Sequence, residues 1–174
     1  MIVVTAGHGG SDPGACANGF EEARFAASVR NAILYYLRSW GVECEGDGMN
    51  ENNLPLADAI ALARKGKVAV EIHLNAASKP SAFGVEALAS EKDKELSQAL
   101  CRAVAEVTGT DLRGDGGWKS ESSGQHRRLW YVQAGGIVLE LEFITNKKRM
   151  KTLYDKFWVV SKAIAEVLKN HVEK

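Results

Sequence analysis

Ile2-Val3-Val4-Thr5-Ala6-Gly7-His8-Gly9-Gly10 opens the chain with a β-branched apolar run that breaks into a glycine-rich turn carrying a histidine. An apolar run bounded by glycine predicts a strand over Ile2–Ala6. Similar runs at Val68–Ile72, Trp130–Val132 and Ile137–Leu141 predict three more. Helical patterns lie between them. Over Glu21–Trp40, Ala26, Val29, Ile33, Leu37 and Trp40 recur on one stripe, and Gly41 stands where a left-handed cap belongs. A second helix is expected over Leu54–Lys65, with Pro55 in its first turn and Gly66 as its stop. A third begins near Ser90, carries Leu96, Leu100, Ala103, Val104 and Val107, and ends at Gly109; a fourth spans Lys156–Val172. Strands alternating with helices define an α/β fold, because parallel neighbours need a crossover and a helix supplies it. The expectation is a mostly parallel twisted sheet with helices on both faces. Gly109 to Arg128, rich in Gly, Ser and charge, reads as a long surface loop and a candidate to face substrate.

A chain of 174 residues, 45% hydrophobic and 25% charged, fits one domain over residues 1–174 without a separate wall-binding domain. Its 22 basic and 22 acidic residues cancel, so no global field draws it to nucleic acid or anionic membranes. His126-Arg127-Arg128 and Lys147-Lys148-Arg149 read as solvated faces, with a local patch as the alternative. Cys16, Cys44 and Cys101 are too scattered for a disulfide framework and contain no C-x-x-C pair. No secretory leader or membrane-spanning run is evident, so the expectation is synthesis in the cytoplasm without a signal peptide or stable membrane insertion. The oligomeric state stays open.

In open α/β sheets ligands bind beyond the carboxyl ends of the strands. His8 follows the first strand, His73 closes Val70-Glu71-Ile72-His73, and Glu140 ends Ile137-Val138-Leu139-Glu140. Two imidazoles and one carboxylate form the donor set of many catalytic zinc sites, and Glu21 or Glu22 could supply the carboxylate. Each residue alone has a structural reading: a hydrogen-bonded histidine, or an acid complementing a helix dipole. Cys16 has no nucleophile signature around it, and the glycine-rich stretches lack the Lys-Ser/Thr ending of a phosphate loop. Of the aromatics, Trp118 in the long loop is the one candidate for contact with substrate.

Gly7-His8-Gly9-Gly10-Ser11-Asp12-Pro13-Gly14-Ala15, Asn18-Gly19-Phe20-Glu21-Glu22, Ile72-His73-Leu74-Asn75-Ala76 and Val138-Leu139-Glu140 with Phe143-Ile144-Thr145-Asn146 resemble the zinc N-acetylmuramoyl-L-alanine amidases of the Amidase_3 type. The blocks recur in the family's order from first strand to last helix. The resemblance implies one zinc ion on His8, Glu22 and His73, with Glu140 as the acid/base residue. It prefers Glu22 to Glu21, four residues after the Asn of the Asn-Gly pair, and Glu140 to Glu142, three residues before the Phe.

Two positions depart from the pattern. Glu142 stands where the family usually has Gly; as residues two apart share a sheet face, it could look into the site and raise the pKa of Glu140, or turn to solvent. Glu71 replaces a usual Ser and could accept a hydrogen bond from a ligating imidazole or form a strand-edge ion pair. Asn75 joins these as a residue near the metal or facing substrate. The resemblance implies peptidoglycan as substrate and cleavage between N-acetylmuramic acid and L-alanine, with an endolysin released at lysis as the matching biology. A zinc carboxypeptidase-like peptidase and a non-catalytic cell-wall-binding module are the alternatives. The first lacks a His-x-x-Glu spacing at His8, and the second predicts a missing ligand or acid that is present here.

Overall fold

The computed structural model describes residues 1–123 and 129–173. In chain order the strands are β1 (Ile2–Ala6), β2 (Cys16–Ala17), β3 (Phe20–Glu21), β4 (Cys44–Gly46), β5 (Val68–Asn75), β6 (Glu86–Leu88), β7 (Trp118–Lys119) and β8 (Ile137–Phe143). The helices are α1 (Glu22–Ser39), α2 (Leu56–Ala63), α3 (Lys94–Thr108), α4 (Trp130–Gln133), α5 (Lys147–Asp155) and α6 (Phe157–Val172). Six strands form one sheet in the order β4-β1-β5-β8-β6-β7, and β2 pairs with β3 in a separate hairpin. β4, β1, β5 and β8 run parallel, whereas β6 lies antiparallel to β8 and turns the far edge of the sheet around.

Strand alternation divides the core in two. Ile2, Val4 and Ala6 of β1, Val70, Ile72 and Leu74 of β5, and Ile137, Leu139 and Leu141 of β8 face the larger cluster, packed under α1, α3 and α6. Val3, Ala69, Val138 and Leu88 face the smaller cluster, closed by Leu62 and Ala63 of α2 and by Tyr131 and Val132 of α4. A parallel sheet covered on both faces explains why these strands are nearly continuous apolar runs. The α/β class and the helices on both faces are as expected.

Trp130–Val132 differs from expectation: it forms the helical turn α4. In a strand Tyr131 and Val132 would point to opposite faces, yet both are buried in the smaller cluster while Trp130 is exposed. Gln133 and Ala134 donate to the carbonyls of Leu129 and Trp130, as a helical turn requires. Three apolar residues are too few for periodicity to separate helix from strand.

Five short strands, β2, β3, β4, β6 and β7, go beyond the expected ones, because two or three residues carry no readable alternation, and helix α5 is a further addition. β7 and a 3₁₀ turn at Glu121–Ser123 lie inside the expected long loop. Lys147 and Lys148 are exposed in the first turn of α5, and Arg149 lies over the Phe83 ring. His126-Arg127-Arg128 lies outside the described residues.

Candidate metal centre

β1 delivers the chain into a turn that needs unusual backbone. His8 adopts φ 63° and Gly9 φ 122°. A non-glycine residue at positive φ is strained, so the surroundings must hold it there. They do so through Asn53, whose Nδ2 donates to the carbonyls of Ala6 (3.2 Å) and His8 (2.9 Å). Asp47 accepts from the Ala6 N–H. Asp47 is itself paired with Arg30 at 2.8 Å, with both side chains fully buried. Burial raises the Asp47 pKa, against the pull of the Arg30 charge.

Within the turn, His8 Nδ1 meets Asp12 Oδ2 at 2.8 Å, and Asp12 Oδ1 accepts from Gly14 N–H. Nε2 of His8 is thereby aimed at Glu22 Oε2, 3.3 Å away. The β2–β3 hairpin feeds directly into α1, and Glu22 is the first residue of that helix. Its Oε2 accepts from Ala15 N–H (2.9 Å) and its Oε1 from Leu74 N–H (3.0 Å), which fixes the carboxylate between two elements. Glu21 points outward towards Arg24 at 3.7 Å. Of the two neighbouring acids, folding places Glu22 and not Glu21 between the histidines.

His73 lies inside β5, not past its end, and β8 likewise extends beyond Glu140 to Phe143. Its Nδ1 stands 3.0 Å from Glu22 Oε1 and its Nε2 2.9 Å from Glu71 Oε2. One ligand atom from each of His8, Glu22 and His73 lies within 4.8 Å of the others. Burial opposes ionisation of Glu22, but hydrogen bonds from His73 and His8 outweigh it and hold the carboxyl well below the usual range. The hydrogen bond to Glu22 raises His8, and burial of His73 is overcome by its bonds to Glu22 and Glu71, which raise it well above an ordinary imidazole. A cluster that draws protons onto two imidazoles is one that seeks positive charge, and a divalent cation would supply it.

Glu140 faces this group from the next strand, in register with His73. Its Oε2 is shielded from solvent and has no hydrogen-bond partner among the described residues. Burial, offset in part by His73 and reinforced by Glu22 and Glu86, pushes its pKa up to about 7.

Glu142 does not join it, and neither expected alternative occurs. The β5–β8 register shifts between His73 and Asn75, so the two-residue alternation fails there. The Glu142 carboxylate is buried, accepting from Gly84 N–H, Phe143 N–H and the Thr110 hydroxyl. The like charge that raises Glu140 comes instead from Glu22 and Glu86. Glu71 reaches His73 Nε2 at 2.9 Å. Asn75 donates to Glu86 at 3.0 Å and accepts from Ala76 N–H. Trp118 pairs in register with Ala87 of the larger cluster, packs on that side of the sheet, and donates its Nε1–H to the Ala89 carbonyl. That side is opposite Glu140.

Asp12, Asn53, Arg30, Asp47 and Glu86 were not singled out in the sequence. Asp12 had a local signal, an acid four residues beyond His8. The others become neighbours of the site only through folding.

Gly7 has a spatial role: a Cβ built there would fall 2.1 Å from His73 Cε1. Gly7→Ala should displace the imidazole and lower metal affinity at least about tenfold, measured by competition with a chromogenic chelator. Unchanged affinity would show that His73 is not a ligand.

The sheet order, the histidines and the carboxylates together describe an α/β domain with a candidate metal site. Residues 2–170 match the family model of N-acetylmuramoyl-L-alanine amidase, Amidase_3, and the chain belongs to that family. It is accordingly an amidase acting on peptidoglycan. A Neisseria meningitidis protein assigned as an N-acetylmuramoyl-L-alanine amidase shares the structure at TM-score 0.93 and 42% identity, with 99% of this chain and 95% of that one covered. The catalytic domain of the amidase CwlV from Bacillus (Paenibacillus) polymyxa var. colistinus has a TM-score of 0.85 at 21% identity, covering 99% and 97%. The catalytic domain of CD27L, an endolysin targeting Clostridia difficile, has 0.75 at 21%, covering 97% and 96%. These last two show the fold alone.

Proposed function

We propose that residues 1–174 form one catalytic unit that cuts the amide between N-acetylmuramic acid and L-alanine as a zinc enzyme. His8, Glu22 and His73 would hold one zinc ion, and Glu140 would act as general acid and base. The observation that carries this reading is the Glu140 carboxyl: shielded, with an unpartnered Oε2, pushed up to about 7, and one strand away from His73. The two nitrogens and one oxygen of the donor set suit zinc, with a position left for water or substrate. When bound, zinc supplies a Lewis acid that polarises the scissile carbonyl and makes water acidic near neutral pH.

The protein's own groups supply the rest. Asp12 and Glu71 orient the two imidazoles, each accepting from the ring nitrogen that does not face Glu22. Glu140, poised near neutrality, takes a proton from the attacking water and delivers it to the alanine nitrogen as the C–N bond breaks. Unprotonated, that nitrogen is a poor leaving group. Access to the wall by the route of an endolysin belongs to the same proposal.

The test uses metal-loaded protein and purified peptidoglycan. New alanine amino termini should appear by mass spectrometry and should cease on chelation, returning with added zinc. New reducing sugar ends without new amines would overturn the cleavage site, and activity indifferent to chelation would overturn the metal.

A further inference from the structure

The sheet face that carries the metal centre continues beyond Glu140 into charges of the opposite sign. Glu86 of β6 pairs in register with Glu140, and Leu88 pairs with Lys119 of β7, so Glu86 and Lys119 share the face of His73 and Glu140. Glu86 is buried, and both Arg113 Nε (2.5 Å) and Lys119 Nζ (2.7 Å) sit on the same oxygen, Oε2. Its other oxygen is taken by Asn75.

One cation would neutralise Glu86; two leave a positive charge over. Glu86 itself acts on Glu140 as a negative charge and helps to push it upward. The cations are not used up. Arg113 commits Nε to Glu86 and Nη1 to the Phe83 carbonyl, and its guanidinium lies over the Phe143 ring. Among the described residues Nη2 is left without a partner, and both side chains retain solvent exposure, 37% for Arg113 and 24% for Lys119. A planar donor stacked on an aromatic ring and anchored at two edges is pre-organised for a carboxylate.

We infer that Arg113 and Lys119 form an anion subsite that binds a free carboxylate on the peptide side of the scissile amide, on the residue that follows the alanine. The inference rests on the amidase reading for its choice of substrate. Dimensions favour it. Neighbouring strands are about 4.8 Å apart, and both cationic groups contact Glu86, which pairs in register with Glu140, so they stand roughly 5–10 Å from the Glu140 carboxyl. One residue beyond the alanine is about 7 Å along an extended peptide, within that range. With the alanine nitrogen at Glu140 and the peptide running over β6, the muramoyl group lies towards β1, and the carboxylate reaches the two cations.

The test separates binding from turnover. Two muramoyl peptides are compared that differ only in a carboxylate or a carboxamide on the residue after alanine. Their affinities are measured by calorimetry on zinc-loaded Glu140→Gln protein, and their cleavage on the parent protein. The carboxylate form should bind about tenfold tighter, the scale of one charge-assisted hydrogen bond. Lys119→Met and Arg113→Gln, each of which leaves one cation on Glu86, should each reduce that ratio, with melting curves confirming the fold. A purely structural role would weaken both ligands equally and leave the ratio unchanged, which would overturn the subsite. Equal affinity of the parent site for the two ligands, or no binding of either, would overturn it as well. A preserved carboxylate preference without release of alanine amino termini would support the subsite and overturn the amidase reading instead.

Discussion

Glu140→Gln is expected to reduce kcat by about a hundredfold or more while making the metal-free protein more stable at alkaline pH. The loss follows from removing the proton carrier, since general acid–base groups contribute on the order of 10²–10⁴ in rate. The gain follows from burial. The folded-state pKa of Glu140 is about 7 against an ordinary 4.5, so between those values the folded protein binds more protons than the unfolded chain. Stability of the parent protein therefore falls as pH rises from about 4.5 to about 7, and the ionised group costs about 3 kcal/mol above that window. Glutamine does not titrate. The difference in melting temperature between variant and parent, measured calorimetrically in chelator, should grow by roughly 5–10 °C from about pH 4 to about pH 8. A difference that does not change with pH would mean that Glu140 is not held in this environment. Metal affinity should survive, because Glu140 is not among the three proposed ligands.

Arg30→Met should destabilise the fold by about 3–5 kcal/mol, the cost of removing one partner from a buried ion pair. Arg30 is fully buried and holds Asp47 and Asn53 together with the carbonyls of Asn50 and Asn52. Without it Asp47 is a buried carboxylate with no cation, and Asn53 loses one of the contacts that keep it on the carbonyls of Ala6 and His8. Urea unfolding measures the loss. Removing the charge of Asp47 as well should recover part of it, so Arg30→Met with Asp47→Asn should unfold at higher urea than Arg30→Met alone. A single-variant loss below about 1 kcal/mol would show that the pair does not support the turn. Metal affinity should fall with stability, because His8 at φ 63° depends on the contacts that Asn53 makes.

The parts of this protein legible in one dimension are those whose cause is local. β1, β5 and β8 are long enough for an apolar run to show, and α1, α3 and α6 are long enough for a stripe to recur, so the α/β class could be read directly. β2, β3, β4, β6 and β7 could not, because a strand of two or three residues exists only through its neighbour. Trp130–Val132 reads as a strand because nothing within three residues distinguishes the two conformations; the sheet face beneath, in need of cover from Tyr131 and Val132 together, makes it helical.

The metal centre divides along the same line. His8 and His73 could be picked out because each sits at the end of an apolar run, and the sequence by itself determined the residue types available for the donor set. The resemblance prefers Glu22 to Glu21 as the acid, and tertiary structure sets which of them stands with the histidines: the hairpin turns Glu22 inward to Leu74 and Ala15 and leaves Glu21 to Arg24. The same holds for Glu140 and Glu142, which strand alternation treats alike and a register shift separates. The environment of Glu140 also comes from folding. Its raised pKa depends on burial and on Glu22 and Glu86, far away in the chain, and electrostatic neighbours are set by distance in space.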